Sequence, residues 1–123
     1  MLIILQKQSF WETNRLKSQF ALSVSMKVLT FHFRSNMSFD EVMEQAEARE
    51  KQYMDVPGLK QIVYMKDERT DQYGSILFFD DEEDLNNFRV SNLARTLKEV
   101  YSSVGPPEIR IFDVIKQLSP SDE

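Results

Sequence analysis

A single histidine is the side chain of this sequence with the clearest capacity for proton transfer. His32 lies in the middle of an alternating run from Lys27 to Arg34. If it faces a pocket, its imidazole can act as a general base that takes a proton from a bound molecule. A half-buried strand histidine held by hydrogen bonds is the structural alternative. Arg34, two residues on, could hold a substrate carboxylate or enolate, or pair with a surface acid.

Aromatic residues are the candidates for the lining of a ligand pocket. The ring of Tyr64 can form a wall, and its hydroxyl can orient a polar ligand. Tyr53 and Phe88 fall on helical faces that should point toward a sheet, and Phe79 ends an apolar strand. A pocket between helices and sheet would be built from such residues, although ordinary core packing is the default for them.

Other kinds of chemistry lack their residues. The absence of cysteine excludes disulfides, thiolate catalysis and cysteine-based metal sites, and a single histidine excludes a histidine-rich metal site. The acidic run 80–84 lacks the alternating ligand spacing of a calcium loop and suits a helix N-terminus better. Three glycines cannot supply a phosphate-binding loop. The net charge of −5 argues against nucleic acid as a partner, and no apolar run is long enough to span a membrane.

The patterning from Met26 onward predicts the element order β-α-β-β-α-β. Strands are predicted by alternation or by short apolar runs. The first helix has a capping-box spacing at Ser38 and Glu41, and the second follows four acids and is expected to break near Ser91-Asn92. The predicted strands are 27–34, 59–66, 73–80 and 108–115, and the predicted helices run over about 39–54 and from 81 to a stop before 105.

Residues 1–25 differ in composition from the rest of the chain. They contain one acid, Glu12, several serines and only a short apolar start. Three interpretations stay open: an upstream extension with Met26 as the functional start, a partly helical arm packed on the domain or on a partner, and a transit-like segment. We therefore predict an extension or arm over 1–25, one α+β domain over 26–118 and a polar tail over 119–123.

Both faces of the predicted sheet carry apolar residues. Helices in this order pack on one face of a four-stranded antiparallel sheet. The third strand has Ile76 and Phe78 on one side and Leu77 and Phe79 on the other, and the fourth strand alternates in the same way. Because a monomer would need a polar second face, the simplest cover is the sheet of a second copy, which predicts a two-fold homodimer. Strand twist, or cover by the N-terminal arm, is the alternative.

The element order and several short motifs resemble a known family. Val56-Pro57-Gly58-Leu59 enters the second strand, Gly74 enters the third, acids follow Phe79, Ala94-Arg95 lies in the second helix, and Ile111-Phe112-Asp113-Val114 forms the closing strand. Together, over about residues 27–118, these are similar to the small monooxygenases of the dimeric α+β barrel superfamily. The YdhR-like branch, related to antibiotic biosynthesis monooxygenases, is the most similar.

The resemblance implies a ferredoxin-like βαββαβ protomer, a homodimer whose sheets form a barrel, and a pocket between sheet and helices. It implies oxidation of a small aromatic or polyketide-like molecule by oxygen, with no metal or flavin cofactor. On this hypothesis His32 and Tyr64 are the catalytic residues. The expected substrate-binding residues are Arg34, Tyr53, Phe79 and Phe88.

The pocket is expected to be leaner than in the YdhR-like branch. The second strand of that branch is Trp-rich with a central Lys, and here it carries Gln61, Ile62 and Tyr64. The competing hypothesis is therefore a non-catalytic ligand-binding or interaction homodimer with the same fold. Haem degradation is a third hypothesis. It is weakened because His32 lies on a predicted strand, whereas the iron ligand of the haem-degrading subgroup resembles a histidine on a helix. The cytoplasm is the expected location, with neither nucleic acid nor membrane as partner.

Overall fold

A computed structural model describes residues 26–120 of the chain. The contacts divide the chain into two compact units, and the larger one spans Lys27–Phe112. The other unit comprises 1–26 and 113–123. In its described part the Val114 amide donates a hydrogen bond to the Met26 carbonyl at 3.0 Å. The side chains of Ile115 and Leu118 are exposed. The predicted extension or arm over 1–25 lies outside the described residues, as do the last three residues of the predicted tail.

Four strands form one sheet, in the spatial order β2-β3-β1-β4. Their bounds are Lys27–Phe33 for β1, Leu59–Asp67 for β2, Gln72–Phe79 for β3 and Glu108–Asp113 for β4. The first strand pairs antiparallel with the third, and the third pairs antiparallel with the second. The two central strands, β1 and β3, are also the most buried, because each has a neighbouring strand on both sides. Their side chains alternate between a covered and an open face. This is the predicted ferredoxin-like α+β arrangement.

The first helical region consists of two segments rather than the single helix predicted over 39–54. Helix α1 spans Phe39–Ala48, and α2 spans Glu50–Met54. The predicted capping box is confirmed: the Ser38 hydroxyl accepts from the Glu41 amide, and the Glu41 carboxylate accepts from the Ser38 amide. Between the segments, Arg49 has φ −100° and ψ −1°. Its side chain makes tertiary hydrogen bonds to the Thr96 hydroxyl and the Leu93 carbonyl.

The second helical region has three segments: α3 at Glu82–Arg89, α4 at Asn92–Arg95 and α5 at Leu97–Val100. The Asp81 side chain caps α3 and Ser91 caps α4, each accepting a hydrogen bond from a backbone amide three residues on. Three acidic side chains lie in the first turn of α3, where their negative charge interacts favourably with the positive end of the helix dipole. The predicted break near Ser91-Asn92 is confirmed.

The hydrophobic core lies between the helices and one face of the sheet. That face buries alternate residues of the two central strands and meets buried residues from both helical regions. The members are Leu29, Phe31, Phe33, Val42, Ala46, Tyr53, Tyr73, Leu77, Phe79, Leu85, Phe88, Leu97 and Tyr101. The opposite face, which we call the open face, carries no described helix.

The turn that joins α2 to β2 requires glycine at one position. Gly58 has φ +75°, and a Cβ built on it would collide with the carboxyl group of Asp84, which lies in α3. Its carbonyl also accepts from the Asp80 amide at 3.0 Å, which ties the turn to the end of β3. Gly58 thereby sets the path of the chain from the end of α2 to the start of β2. These two elements form the walls of the cleft described next.

Candidate functional site

An open cleft of about 540 Å³ lies between α2 and β2. Aromatic and aliphatic groups form most of its wall, and charged groups stand at its rim. The lining residues are Glu50, Lys51, Tyr53, Met54, Leu59, Lys60, Gln61, Ile62 and Tyr64. Cavities of about 300–1,000 Å³ with an apolar lining and a few polar groups are typical of sites for small molecules. The cleft therefore has the size and lining for an aromatic ligand.

Tyr64 stands in the wall of the cleft and points to the helix side of the sheet. Its hydroxyl is buried and has no hydrogen-bond partner among the described residues. The pKa of Tyr64 is raised to about 12, mainly by burial and also by the nearby Tyr53 and Glu50, while the charge of Arg49 opposes the rise. At neutral pH Tyr64 is therefore a neutral phenol with an unused donor, which suits a hydrogen bond to an oxyanion.

Arg49 is a buried cation behind this wall, with only 8% of its surface exposed. Its guanidinium donates to the Thr96 hydroxyl at 3.3 Å and to the Leu93 carbonyl at 2.5 Å, and both acceptors are neutral. Its Nε has no partner, and no carboxylate within 26–120 forms an ion pair with it. An arginine stays protonated in proteins, so the interior holds an uncompensated positive charge.

The charge of Arg49 acts on three tyrosines. Burial raises the pKa of Tyr53, and the charge of Arg49 and a hydrogen bond from it act in the opposite direction. Burial likewise raises the pKa of Tyr101, and the charge of Arg49 again opposes the rise. Together with Tyr64, these phenols and the guanidinium form a buried polar cluster between sheet and helices.

A second, much smaller cavity lies on the inner side of Tyr64. Its volume is about 30 Å³, which is room for one water or one diatomic molecule. It is lined by Phe31, Phe33, Val42, Met43, Ala46, Tyr64, Met65, Tyr73, Gly74, Ser75 and Tyr101. The space directly between sheet and helices is thus largely filled by side chains. The outer cleft has room for a ring, and so has an open pocket of about 350 Å³ beside His32.

The structure does not bring His32 and Tyr64 together. In the β ladders His32 pairs with Gly74, and Tyr64 pairs with the next residue, Ser75. Directly paired residues share a face and neighbours alternate, so the two side chains lie on opposite faces. A Cβ on Gly74 would lie 3.3 Å from the His32 Cβ, which also places His32 on the open face. The two predicted catalytic side chains therefore do not face one site.

His32 has polar partners on the open face. Its Nδ1 lies 3.2 Å from the Gln72 side-chain oxygen, and its Nε2 lies 3.4 Å from a Glu108 carboxylate oxygen. His32 also lines an open pocket of about 350 Å³ together with Met65 and Lys66. Both interpretations of His32, proton acceptor and structural histidine, therefore stay predictions. Arg34 follows β1, and its side chain is exposed and outside the cleft lining.

The three aromatic residues expected to bind substrate take different positions. Tyr53 lines the cleft and is 3% exposed. Phe88 packs behind it, with ring centroids 6.1 Å apart, and Phe79 packs on Phe88 at 5.6 Å. Neither Phe79 nor Phe88 lines the cleft, so they belong to the core that supports Tyr53.

Sequence reasoning missed Arg49 and Tyr101. Both residues lie on the apolar helix faces from which the helices were predicted. Arg49 is three residues after Ala46 and four before Tyr53, and Tyr101 is four residues after Leu97. A charged residue in the middle of an apolar stripe was the available signal. Glu50, which lines the cleft, carried no such signal because it reads as an exposed helix residue.

Residues 26–120 contain neither a cluster of metal ligands nor a membrane-spanning helix. No group of three or more His, Asp and Glu side chains is placed to hold a metal ion in that part of the chain. No helix among the same residues has the length and apolar character needed to cross a bilayer.

Comparison with known proteins identifies the family. Residues 28–123 match the family model described as "Putative mono-oxygenase ydhR". The chain belongs to this family, as the resemblance predicted. A search among curated proteins finds no match.

Solved structures share the fold at low sequence identity. SnoaB of Streptomyces nogalater, described as a cofactor-independent oxygenase, has a TM-score of 0.64 and 12% identity, covering 79% of this chain and 99% of its own. A "Putative antibiotic biosynthesis monooxygenase" of Bordetella bronchiseptica has a TM-score of 0.62 and 11% identity, covering 76% and 99%. A dimeric ferredoxin-like protein of Thermobifida fusca has a TM-score of 0.56 and 16% identity, covering 72% and 92%. At such identities the likeness shows the fold alone.

Proposed function

We propose that this protein is a cofactor-independent monooxygenase whose small aromatic or polyketide-like substrate binds in the cleft between α2 and β2. The observation that carries the proposal is the cleft of about 540 Å³ with the phenols of Tyr53 and Tyr64 in its wall. Membership in a family described as mono-oxygenases favours the same reaction class. The fold shared with SnoaB, a cofactor-independent oxygenase, is consistent with it.

The residues of the cleft suit the activation of a phenol. The Glu50 carboxylate lines the cleft and can accept a phenolic proton from the ligand. Tyr64 keeps its own proton at neutral pH, because burial raises its pKa to about 12, and can donate a hydrogen bond to the resulting oxyanion. The buried charge of Arg49 favours negative charge at the same place. Tyr64 and Arg49 thus lower the free energy of the substrate anion relative to the neutral phenol, and Glu50 takes up the proton.

The overall reaction balances without a cofactor. A phenol with a free para position reacts with O₂ to give a para-quinone and water. One oxygen atom becomes the new carbonyl oxygen, the other leaves in water, and the ring supplies all four electrons. The protein needs only to generate the electron-rich anion and to position it toward oxygen.

Oxygen consumption with a panel of hydroxylated aromatics tests this proposal. We expect turnover by the wild type and a fall in kcat/KM of about 100-fold in Tyr64→Phe, the usual scale for loss of one donor to an oxyanion. His32→Ala is the control, because His32 lies on the open face, and it should retain wild-type turnover. Absence of oxygen consumption with every compound, or equal losses in both variants, would overturn the proposal.

A second candidate is a non-catalytic dimer with the same fold. The observation that favours it is the inner cavity, which is filled until only about 30 Å³ remains. Under this proposal aromatics would bind in the cleft, or not at all, without oxygen consumption. The same panel therefore separates the two candidates.

We also infer that the protein forms a homodimer through its open face. Val63, Met65, Ile76 and Phe78 share that face by ladder register, and Phe112 joins them by alternation from Glu108, the partner of His32. Met65 is 44% exposed and Phe112 51%. An apolar sheet face of this kind is normally covered in solution, and the Thermobifida fusca protein of the same fold is described as dimeric.

A further inference from the structure

Two lysines lie at the rim of the cleft, one on each of its walls. Lys51 belongs to α2 and Lys60 to β2, and Glu50 is the one carboxylate among the described residues that line the cleft. The lining therefore carries more positive than negative charge, although the whole chain has a net charge of −5. A cleft whose charge is opposite to that of the surrounding protein favours ligands of the other sign, here anions.

The two lysines differ in how much of their charge is already compensated. The Lys60 Nζ lies 3.4 Å from an Asp80 carboxylate oxygen. No carboxylate within 26–120 forms an ion pair with Lys51. Lys51 therefore offers its full charge to a ligand, and Lys60 contributes a charge that it shares with Asp80.

The start of β2 is irregular at Lys60. Leu59 pairs with Phe79 and Gln61 with Phe78, so the ladder leaves Lys60 without a partner residue on β3. An extra residue of this kind turns its side chain out of the regular alternation, and such irregularities are common beside binding sites. This local backbone feature accounts for a lysine in the lining next to Leu59, which also lines the cleft.

The cations and the phenol of Tyr64 are well separated along the cleft. Tyr64 follows Lys60 by four residues on β2, which is about 13 Å at the usual rise of a strand. A ligand that reaches both has its hydroxyl group and its anionic group at opposite ends of an extended aromatic skeleton.

We propose that the cleft selects aromatic hydroxy acids, with the phenol beside Tyr64 and a carboxylate at the rim beside Lys51 and Lys60. The inference rests on the function proposed above and names the substrate class of that same site. The carboxylate takes no part in the oxidation. Lys51 determines specificity by binding it equally in the ground state and the transition state, so its loss should raise KM for the acid and leave kcat unchanged.

A matched pair of ligands tests this inference without turnover. The compound 6-hydroxy-2-naphthoate and its methyl ester have the same rings and the same phenol, and the acid alone carries the charge. Fluorescence titration should show that the wild type binds the acid about three to five times more tightly, the range of an exposed ion pair. Lys51→Gln should remove most of this preference. Lys98→Gln is the matched control, because Lys98 is an exposed helix lysine outside the lining, and it should keep the preference.

The outcomes separate this inference from the oxygenase function. Equal affinity of the wild type for acid and ester, or equal effects of Lys51→Gln and Lys98→Gln, would overturn the inference even if both compounds are oxidised. Absence of binding by either compound would overturn it as well. Failure of the oxygenase function looks different: the acid is then preferred through Lys51, and neither compound causes oxygen consumption.

Discussion

Arg49 joins the two helical regions through Leu93, whose carbonyl accepts one of its hydrogen bonds at 2.5 Å. A second bond goes to the Thr96 hydroxyl at 3.3 Å, and the side chain is buried. This link holds α2, and hence one wall of the cleft, against α4 and α5. A cation in this position contributes to the electrostatics of the cleft and also to the stability of the fold.

Replacement of Arg49 should separate these contributions. Arg49→Ala should lower the free energy of unfolding by about 3 kcal/mol, because two acceptors lose a donor and a cavity forms. Arg49→Met should cost only about 1 kcal/mol, because an apolar chain of similar length fills the space and removes an unpaired charge. Urea unfolding measures both, with the exposed Arg34→Ala as control, expected within about 0.5 kcal/mol of wild type. Equal effects of Arg49→Ala and Arg34→Ala would contradict this account.

Gly58 should be more sensitive to substitution than Gly105, although both have a positive φ. Gly105→Ala should cost about 1 kcal/mol, the backbone penalty alone, since no atom lies within 4 Å of its built Cβ. Gly58→Ala adds a collision with the Asp84 carboxyl group and should cost about 1–2 kcal/mol more. Thermal and urea unfolding of the two variants gives the comparison. Identical losses would show that Asp84 moves aside freely.

Stability should fall at alkaline pH because of the buried tyrosines. The folded pKa of Tyr64 is raised to about 12 from an ordinary value of 10.0, so the folded chain keeps a proton that the unfolded chain has released. The stabilisation that the protonated Tyr64 gives the folded chain is complete below about pH 10. It is lost as the pH rises from about 10 toward 12. Urea unfolding between pH 8 and 11.5 should show the fall, and it should be smaller in Tyr64→Phe. An identical pH dependence in the two proteins would be evidence against the buried phenol.

Loss of the apolar open face should prevent the proposed homodimer from forming. Phe78→Asp places a charge in that face, so sedimentation equilibrium should show a monomer where the wild type shows a dimer. Lys51→Asp is the control, because Lys51 lies at the rim of the cleft, on the helix side, and should leave the dimer intact. A monomeric wild type, or a Phe78→Asp variant that stays dimeric, would exclude this interface.

Much of the fold was predictable because local patterns carried it. The alternation around Leu29, Phe31 and Phe33 identified the buried face of β1, and the Ser38–Glu41 capping box marked the start of α1. The break at Arg49 was not predictable, since Ala48, Arg49 and Glu50 all form helix readily.

The candidate site was predictable only in part. Tyr53 and Tyr64 were identified as pocket residues, and both line the cleft. Alternation along β1 also predicted that His32 lies on the face opposite to Phe31 and Phe33. Which of the two faces carries the cleft depends on where the helices pack, and alternation does not give that. The size of each cavity depends on how side chains fill the space between layers, and one sequence does not contain that information.

The most direct test of the central claim is an NMR titration of methyl-labelled methionines with a hydroxylated aromatic. Met54 lines the cleft, whereas Met65 lies on the open face, with its terminal methyl 3.4 Å from a Cβ built on Gly74. A ligand beside Tyr53 and Tyr64 should shift the Met54 methyl resonance and leave that of Met65 unchanged. A shift of the Met65 methyl alone would place the ligand on the side of His32 and contradict the cleft as the substrate site.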